Sequence, residues 1–236
     1  MRILITNDDG IDTAGIRLLA ENAKKYGEVW VVAPDGQRSA MSHCYSFRET
    51  ITVRDFDFGM EGITAYTCTG TPADCVRVGA TRLMPQRPDF VLSGINNGYN
   101  MCWDIQYSAT IGAAMEAVSM GIQAIAFSEG SQDKNEVTRV YLDEILRECM
   151  SKPLGVNQAW NVNFPDSGLD GLSGIKRDCK VSTDQFYDDF YDEEMLEDGG
   201  IKLKVVPKRI WKATEGTDLD AIMKNYISIG VVNNIG

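Results

Sequence analysis

The stretch MRILITNDDGIDTAGIRLLAENAKKYGEVWVVAPDG, residues 1–36, decides the fold. Residues 2–6 and 29–33 are short continuous apolar runs, which are typical of parallel strands buried on both faces. Between them, residues 13–26 carry apolar side chains at helical spacing, and Gly27 stands where glycine often ends a helix. This strand–helix–strand unit predicts a parallel sheet with helices packed on it.

The same alternation continues along the chain. Further strands are predicted at residues 51–53, 64–67, 90–92, 123–127 and 160–163, and further helices at residues 71–83, 110–120 and 135–150. We therefore predict an α/β fold, with a Rossmann-like, doubly wound, mostly parallel sheet and helices on both faces. Residues 1–168 would form this core, and residues 169–236 would form a C-terminal extension of the same domain.

The extension is predicted to hold a β-hairpin, an acidic loop and a helix. Its strands are expected at residues 174–181 and 201–206, and its helix at residues 219–225. Residues 184–198, DQFYDDFYDEEMLED, contain eight acidic residues and no Lys or Arg. We interpret this segment as a solvated loop or flexible flap. A second metal site is the less favoured alternative, because the spacing differs from that of an EF-hand.

Composition restricts the partners. The net charge of −11 argues against a nucleic-acid duplex, because proteins that bind one usually carry a basic stripe. No stretch approaches the roughly 18 consecutive apolar residues of a membrane span, so no membrane partner is expected. Two carboxylates within the first ten residues argue against a signal peptide. The six scattered cysteines form no CxxC pair, and we expect reduced thiols in a cytoplasmic protein.

Asp8 and Asp9 follow the first predicted strand, at the edge of the sheet where α/β proteins bind ligands. Two adjacent carboxylates at the end of a buried strand are costly unless a cation neutralises them. A hard ion such as Mg²⁺, Mn²⁺ or Ca²⁺ would do so, and Gly10 would let the chain turn away. The alternative is an Asx-turn in which an aspartate caps the next helix, which suits one of the two carboxylates better than both.

Two more loops follow predicted parallel strands. The loop at residues 33–43 carries Ser39 and His43, each of which is alone a weak indication of a site, and the chain has no GxSxG motif of a serine hydrolase. The loop at residues 93–100 leads to Ser108 and Thr110 at the start of a helix. Hydroxyls and free N–H groups at a helix N-terminus can bind phosphate, but from spacing alone a simple helix cap is equally favoured.

Seven motifs in chain order resemble the SurE survival-protein family of nucleotidases. They are ILITNDDGI at 3–11, VVAPDGQRSAMSH at 31–43, TGTPADCV at 69–76, VLSGINNGYNM at 91–101, YSATIGAAMEA at 107–117, NVNFP at 161–165 and TDLDAI at 217–222. The match spans nearly the whole chain, and the order of NDDG, APD, GTPAD and SGIN is highly specific.

The resemblance implies a three-layer α/β/α phosphatase that hydrolyses nucleoside 5′- and 3′-monophosphates and, in some members, short polyphosphate. It further implies one divalent metal ion per subunit, Mg²⁺ or Mn²⁺, with Ca²⁺ able to replace it in crystals, and a homodimer or homotetramer. The implied metal ligands are Asp8, Asp9, Ser39 and Asn96, and the implied phosphate-binding residues are Asn7, Gly98, Asn100, Ser108 and Thr110. Of these, the implied catalytic residues are Asp8, Asp9, Asn96, Ser108 and Thr110.

The chain departs from the family at three places. Ala109 and Cys102 occupy positions where the family commonly has glycine, and the chain ends soon after residues 228–232, where the family's last strand continues. The last difference affects contacts that an oligomer would use. The first two are the sequence support for an alternative function, a catalytically weak nucleotide- or metal-binding protein on the same fold.

The ligand set favours metal-assisted hydrolysis. We favour attack by a metal-activated water over an aspartyl-phosphate intermediate, because a metal-bound carboxylate is a poorer nucleophile. A receiver-type signalling domain also has an acidic pair after its first strand, but it needs an Asp and a Lys where this chain has SGIN at 93–96 and FSE at 127–129. A nicotinamide-binding module would need GxGxxG after the first strand, which is absent.

Overall fold

The computed structural model describes residues 1–188 and 190–235. Its strands are β1 Arg2–Thr6, β2 Glu28–Pro34, β3 Val53–Asp55, β4 Ile63–Cys68, β5 Phe90–Asn97, β6 Gln123–Glu129, β7 Gln158–Phe164, β8 Gly174–Cys179, β9 Phe190–Met195, β10 Ile201–Val206 and β11 Tyr226–Asn233. Its α-helices are α1 Ala14–Ala23, α2 Pro72–Val78, α3 Ala109–Ser119, α4 Glu136–Ser151 and α5 Asp218–Met223.

Within the described residues, nine strands form one sheet in the order β3-β4-β2-β1-β5-β6-β7-β11-β8. The six strands from β4 to β7 in that order are all parallel. Strand β3 runs antiparallel to β4, and β11 runs antiparallel to β7. The prediction of a mostly parallel, doubly wound sheet is therefore confirmed.

Alternate side chains of the strands fill two cores, one on each face of the sheet. Ile3 and Ile5 of β1 belong to the core that also contains residues of α1 and α4, whereas Leu4 belongs to the core that contains residues of α2 and α3. All three side chains have no exposed surface. Strands covered on both faces need continuous apolar runs, which is why the parallel strands could be recognised from the sequence.

Helix α2 shows how local sequence fixes an element. The Thr71 hydroxyl oxygen accepts a hydrogen bond from Asp74 N at 3.1 Å, and Asp74 Oδ2 accepts one from Thr71 N at 2.8 Å. This capping box satisfies two N–H groups at the helix start, and Pro72 occupies the first turn. The helix predicted to end at residue 83 is α-helical to Val78 and continues as one π-helical turn over Gly79–Leu83.

The C-terminal residues share the main sheet. Strand β11 lies between β7 and β8. Strands β11 and β8 therefore extend the sheet beyond β7, at the end opposite β3. The strands predicted at residues 174–181 and 201–206 are β8 and β10, but the predicted hairpin of these two strands is wrong, because β8 pairs with β11 and β10 pairs with β9. The predicted helix at 219–225 is α5. None of the helices in the described residues is both long and apolar enough to cross a membrane.

The expectation of a loop throughout residues 184–198 is wrong, because Phe190–Met195 forms β9 and pairs antiparallel with β10. This two-stranded sheet, residues 190–206, is called the arm below. Its register sets Glu194 opposite Lys202 and Asp192 opposite Lys204. The lysines of β10 therefore offset the acidic charge that made β9 look like solvated loop, and an ion pair of 3.1 Å joins Lys202 to Glu194.

Candidate functional site

Three loops meet at the carboxyl edge of the sheet because β1 lies between β2 and β5. The Asp8 carbonyl accepts a hydrogen bond from Arg38 N at 2.7 Å, which ties the end of β1 to the loop after β2. Asp9 Oδ2 accepts one from Asn97 N at 3.1 Å, which ties the same turn to the end of β5. The loops that the sequence placed at one edge are thus in direct contact.

Asp8 is a buried carboxylate held by the first turn of α3. Only 3% of its surface is exposed, and its Oδ1 accepts a hydrogen bond of 2.8 Å from the Thr110 hydroxyl. Burial raises the pKa of Asp8 to about 6; the charge of Asp9 also raises it, and the Thr110 hydrogen bond lowers it. Asp8 therefore holds a proton more readily than an ordinary aspartate, and a nearby cation would stabilise its ionised form.

Asp9 is half-buried beside Asp8, and burial raises its pKa as well, against the hydrogen bond from Asn97 N. Among the ion pairs of residues 1–188 and 190–235, none involves Asp8 or Asp9. Two adjacent, partly desolvated carboxylates without a cationic side chain fit a divalent cation. The described part of the chain has no group of three or more His, Cys, Asp or Glu side chains that could hold a metal ion, so neutral oxygens would have to complete the site.

Ser39 and Asn96 are the neutral ligands that the resemblance implies. Ser39 is exposed, and its hydroxyl oxygen accepts a hydrogen bond from Gln37 Nε2 at 3.2 Å. Asn96 is half-buried on β5, and its Nδ2 donates to the Gly98 carbonyl at 2.8 Å, which leaves Oδ1 outside that bond. Ser39 lies in the loop after β2 and Asn96 near the end of β5, the two segments that contact the Asp8–Asp9 turn, and their role as ligands stays a prediction.

Asn7 organises the turn that carries the aspartates. Its Nδ2 donates to the Gly10 carbonyl at 2.8 Å and to the Thr13 hydroxyl at 3.0 Å, and its Oδ1 accepts from Gly10 N at 3.2 Å. Gly10 has a φ of +106°, and a Cβ there would lie 3.3 Å from Gly36 Cα. Asn7 therefore shapes the backbone around Asp8 and Asp9, and these bonds account for both polar atoms of its side chain.

Ser108 and Thr110 have different partners, although the sequence offered the same two interpretations for both. The Ser108 hydroxyl oxygen caps α3 by accepting a hydrogen bond from Ile111 N at 3.1 Å. Thr110 is fully buried and donates to Asp8 instead. Only Ser108 is thus the N-cap, while Thr110 connects α3 directly to the acidic turn.

Gly98 and Asn100 form the loop between β5 and α3. Gly98 has a φ of +141°, which favours glycine, and its N–H donates to the Glu129 carbonyl at 2.8 Å. Asn100 Nδ2 donates to the Ser128 hydroxyl at 2.8 Å, and Asn100 N donates to Asn163 Oδ1 at 2.8 Å. The buried asparagine of β7 thus anchors the loop, which gives the NVNFP motif a structural role.

Cys102, one of the residues at which the sequence departs from the resemblance, adopts a backbone conformation that favours glycine. Its φ is +58°, in the left-handed region, and its side chain is fully buried. Its N–H donates to Asp218 Oδ2 at 3.1 Å, so the TDLDAI motif holds this turn from the other side.

His43 is part of a polar cluster around Glu116 of α3. Its Nε2 lies 2.8 Å from Glu116 Oε2, and an Arg77 guanidinium nitrogen lies 2.6 Å from Glu116 Oε1. The backbone of the loop also approaches α3 closely, because a Cβ on Gly112 would lie 2.3 Å from the Ser42 carbonyl oxygen. The cluster neutralises the buried Glu116 and fixes the loop that carries Ser39.

Glu129 is the residue at this edge that sequence reasoning missed. It ends β6, only 1% of its surface is exposed, and it forms no ion pair among the described residues. Its pKa is raised to about 7, chiefly by burial and also by the charge of Asp9, against a hydrogen bond from Thr138 and the charge of Arg139. An acidic residue two positions after the apolar run AIAF at 124–127 was the available indication.

Comparison with known proteins agrees with this geometry. The family model described as "Survival protein SurE" matches residues 3–188. A Clostridium botulinum protein named 5′-nucleotidase SurE is 37% identical over 97% of this chain and 91% of its own length. A Flavobacterium psychrophilum protein of the same name is 39% identical over 79% of this chain and 74% of its own length.

A solved structure supports the same conclusion. The crystal structure of the SurE protein from Aquifex aeolicus superposes with a TM-score of 0.83 and 32% sequence identity, covering 100% of this chain and 94% of that chain. The acidic turn after β1, the loops that contact it and these matches agree: this chain belongs to the SurE family.

Proposed function

We propose that the protein is a divalent-metal-dependent phosphomonoesterase that hydrolyses nucleoside 5′-monophosphates to nucleoside and phosphate. The observation that carries the proposal is the pair of Asp8, buried, and Asp9, half-buried, which among the described residues has no cationic side chain beside it at the carboxyl edge of the sheet, next to the N-terminus of α3. Relatives that are 36–39% identical bear the name 5′-nucleotidase. A cation site next to a helix N-terminus suits a phosphate ester, because the cation and the helix N-terminus would both attract the phosphate oxygens.

Asp8, Asp9, Ser39 and Asn96 would hold the metal, since all four offer oxygen atoms, as Mg²⁺ and Mn²⁺ prefer. The bound metal would supply Lewis-acid polarisation of the phosphoryl group and a more acidic water. The Thr110 hydroxyl keeps Asp8 ionised and oriented, because its hydrogen bond stabilises the charged form. Asn7 fixes the backbone of the turn through its bonds to Gly10.

Helix α3 would bind the phosphoryl oxygens. The first N–H groups of a helix have no intrahelical partners and carry a partial positive charge, so they stabilise an anion. Ser108 accepts the Ile111 N–H and still has its own hydroxyl hydrogen to donate. Gly98 and Asn100, anchored to β6 and β7, would hold the opposite wall of the site. Water attack remains the favoured path over an aspartyl-phosphate on Asp8 or Asp9.

A phosphate-release assay tests the proposal. The purified chain is incubated with nucleoside 5′-monophosphates and Mn²⁺ or Mg²⁺, with Asp8→Asn as the matched inactive control. Release by the wild type alone supports the proposal. No release with either metal, from a folded protein that binds nucleotide or metal, favours the alternative of a catalytically weak binding protein.

Activity on 3′-monophosphates and short polyphosphate is the finer part of the proposal. A metal ion and a helix N-terminus would contact the phosphoryl group and not the sugar carbon to which it is attached. This supports a broad substrate range that includes several monoesters. A substrate panel that compares 5′- and 3′-monophosphates of each base with tripolyphosphate tests it. Turnover restricted to 5′-monophosphates would contradict the broader range.

We further propose that the protein is a homodimer or homotetramer in which the arm contacts a second copy. The register of β9 and β10 sets five apolar side chains on one face of the arm, each 47–69% exposed: Tyr191, Met195, Ile201, Leu203 and Val205. Such a face would be costly in a monomer. Light scattering on the wild type and on Leu203→Lys tests this, with Lys204→Gln on the opposite face as control. A monomeric wild type would contradict it.

The cytoplasmic location stays a prediction. All six cysteines are free in the structure, including the exposed Cys44, which suits a reducing compartment. Cell fractionation with an antibody to the chain would test it.

A further inference from the structure

Glu129 is a buried acid that the proposed reaction leaves without a role. Two other buried carboxylates of the chain have several partners: Glu116 pairs with Arg77 and His43, and Asp218 accepts hydrogen bonds from three N–H groups. Glu129 forms no ion pair within residues 1–188 and 190–235, and the Thr138 hydroxyl is a hydrogen-bonding neighbour of its carboxyl group. A buried carboxylate without an ion pair is costly, and a cation bound nearby would offset that cost.

The backbone places Glu129 close to the metal-binding turn. Glu129 and Asn97 are partners in the parallel pairing of β6 with β5. The N–H of Asn97 donates to Asp9 Oδ2 at 3.1 Å, and the N–H of the next residue, Gly98, donates to the Glu129 carbonyl at 2.8 Å. A single residue of β5 thus separates Asp9 from Glu129. The negative charge of Asp9 is felt at the Glu129 carboxyl group and disfavours its ionisation.

Glu129 is nevertheless not a third ligand beside the two aspartates. The described residues contain no group of three carboxylate, imidazole or thiolate side chains positioned to share one ion. Its influence on an ion bound by Asp8 and Asp9 would therefore act through charge. Almost no water reaches the Glu129 side chain to screen that charge.

We propose that Glu129 is a positioning residue for the cation: its buried carboxylate lies outside the ligand set and raises the affinity of the Asp8–Asp9 site for a divalent metal. This inference rests on the proposed metal site. The cation in turn compensates the Glu129 charge, which accounts for an acid at the end of an otherwise apolar strand. Arg139, an exposed residue, offsets only part of this charge.

Calorimetric titration with Mn²⁺ alone tests the proposal, at pH 8 and without substrate. We expect Glu129→Gln to weaken Mn²⁺ binding on the order of tenfold, because one buried charge at short range is removed. Glu129→Asp, which keeps the charge, should restore affinity to within about threefold of the wild type. Glu28→Gln removes one charge at the opposite edge of the sheet and should leave the affinity unchanged.

A thermal melt of each metal-free variant shows whether it folds, and Glu129→Leu is a second neutral variant for a buried position. If a folded Glu129→Gln or Glu129→Leu protein binds Mn²⁺ as tightly as the wild type, the inference is overturned, but the proposed metal site is not. Equal weakening in Glu129→Asp and Glu129→Gln would also overturn it, since shape rather than charge would then be responsible. A wild type that binds no Mn²⁺ would overturn both the inference and the proposed metal site.

Discussion

The Thr110 hydroxyl donates a hydrogen bond of 2.8 Å to Asp8 Oδ1, and this bond joins the first turn of α3 to the end of β1. Both side chains are buried, so little water competes for the bond. The bond stabilises the ionised form of Asp8 and counteracts the burial that raises its pKa to about 6. Thr110 thereby controls the charge and orientation of a residue that would bind metal.

We expect Thr110→Val to weaken Mn²⁺ binding and to move the acid limb of the kcat/KM profile to higher pH. Valine has nearly the same shape but leaves Asp8 without its hydroxyl donor, so the pKa of Asp8 rises further. Thr110→Ser keeps the donor and should behave like the wild type. A pH–rate profile and a Mn²⁺ titration of the three proteins measure the effect, and coincident curves for Thr110→Val and Thr110→Ser would contradict it.

Asp8→Asn and Asp9→Asn should each abolish metal-dependent phosphatase activity without unfolding the protein. In the absence of metal, each variant should be as stable as the wild type or more so, because a costly buried charge is removed. For Asp8 the gain at pH 7.5 is at most about 3 kcal/mol, from a pKa raised from 3.8 to about 6 at roughly 1.4 kcal/mol per unit. Phosphate release and chemical denaturation measure the two effects. Full activity in both variants would remove the metal-site assignment.

The sheet could be predicted from the sequence because its strands are covered on both faces and so read as unbroken apolar runs. The arm could not be predicted, because β9 is acidic and its charge is offset only by the strand that pairs with it. Lys202 and Lys204 stand opposite Glu194 and Asp192 only after the hairpin has formed. Charge counted along the sequence alone suggested a solvated loop.

The position of the site could be predicted in the same way, since parallel strands end at one edge. Individual contacts could not, because Ser108 and Thr110 are two residues apart and only the helix geometry directs one to Ile111 N and the other to Asp8. Glu129 was missed because its proximity to Asp9 arises from the pairing of β5 with β6, which joins residues far apart in the chain.

The stability of the metal-free protein should fall as pH rises from about 5 to about 7.5. The pKa of Asp8 is raised to about 6 and that of Glu129 to about 7, from ordinary values of 3.8 and 4.5. Between the ordinary and raised values the folded state binds more protons than the unfolded state, so the free energy of unfolding decreases with pH. Melting temperatures across this range measure the slope, which should be smaller in Asp8→Asn and in Glu129→Gln. An equal slope in all three proteins would contradict this origin.

Divalent metal should raise the melting temperature, and chelation should abolish turnover. Binding to the folded state alone stabilises it by about 2.7 kcal/mol when the free metal is at 100 times its dissociation constant. The oxygen-only site should release its ion to EDTA, and added Mn²⁺ should then restore activity. Thermal shift and phosphate release, each with and without EDTA, measure both effects. Turnover that persists after exhaustive chelation would indicate a metal-free mechanism.

Ser108 offers a test of whether its hydroxyl binds phosphate or only caps α3. Loss of the cap in Ser108→Ala should cost about 1 kcal/mol of stability, because Ile111 N loses its acceptor. If the hydroxyl also donates to the phosphoryl group as its charge develops, kcat should fall on the order of 10²-fold, more than KM rises. We expect both effects. Thr217→Val removes the comparable N-cap of α5 and should lower stability without lowering kcat.

Steady-state kinetics and a thermal melt on the same two variants separate the possibilities. A Ser108→Ala protein that is destabilised but keeps its kcat would show that the hydroxyl is a cap alone. The anion site would then move to the loop at residues 39–43, which His43 and Glu116 hold against α3. A loss of kcat in Ser108→Ala that Thr217→Val does not share cannot come from helix fraying, and it would assign the Ser108 hydroxyl to the reacting phosphate.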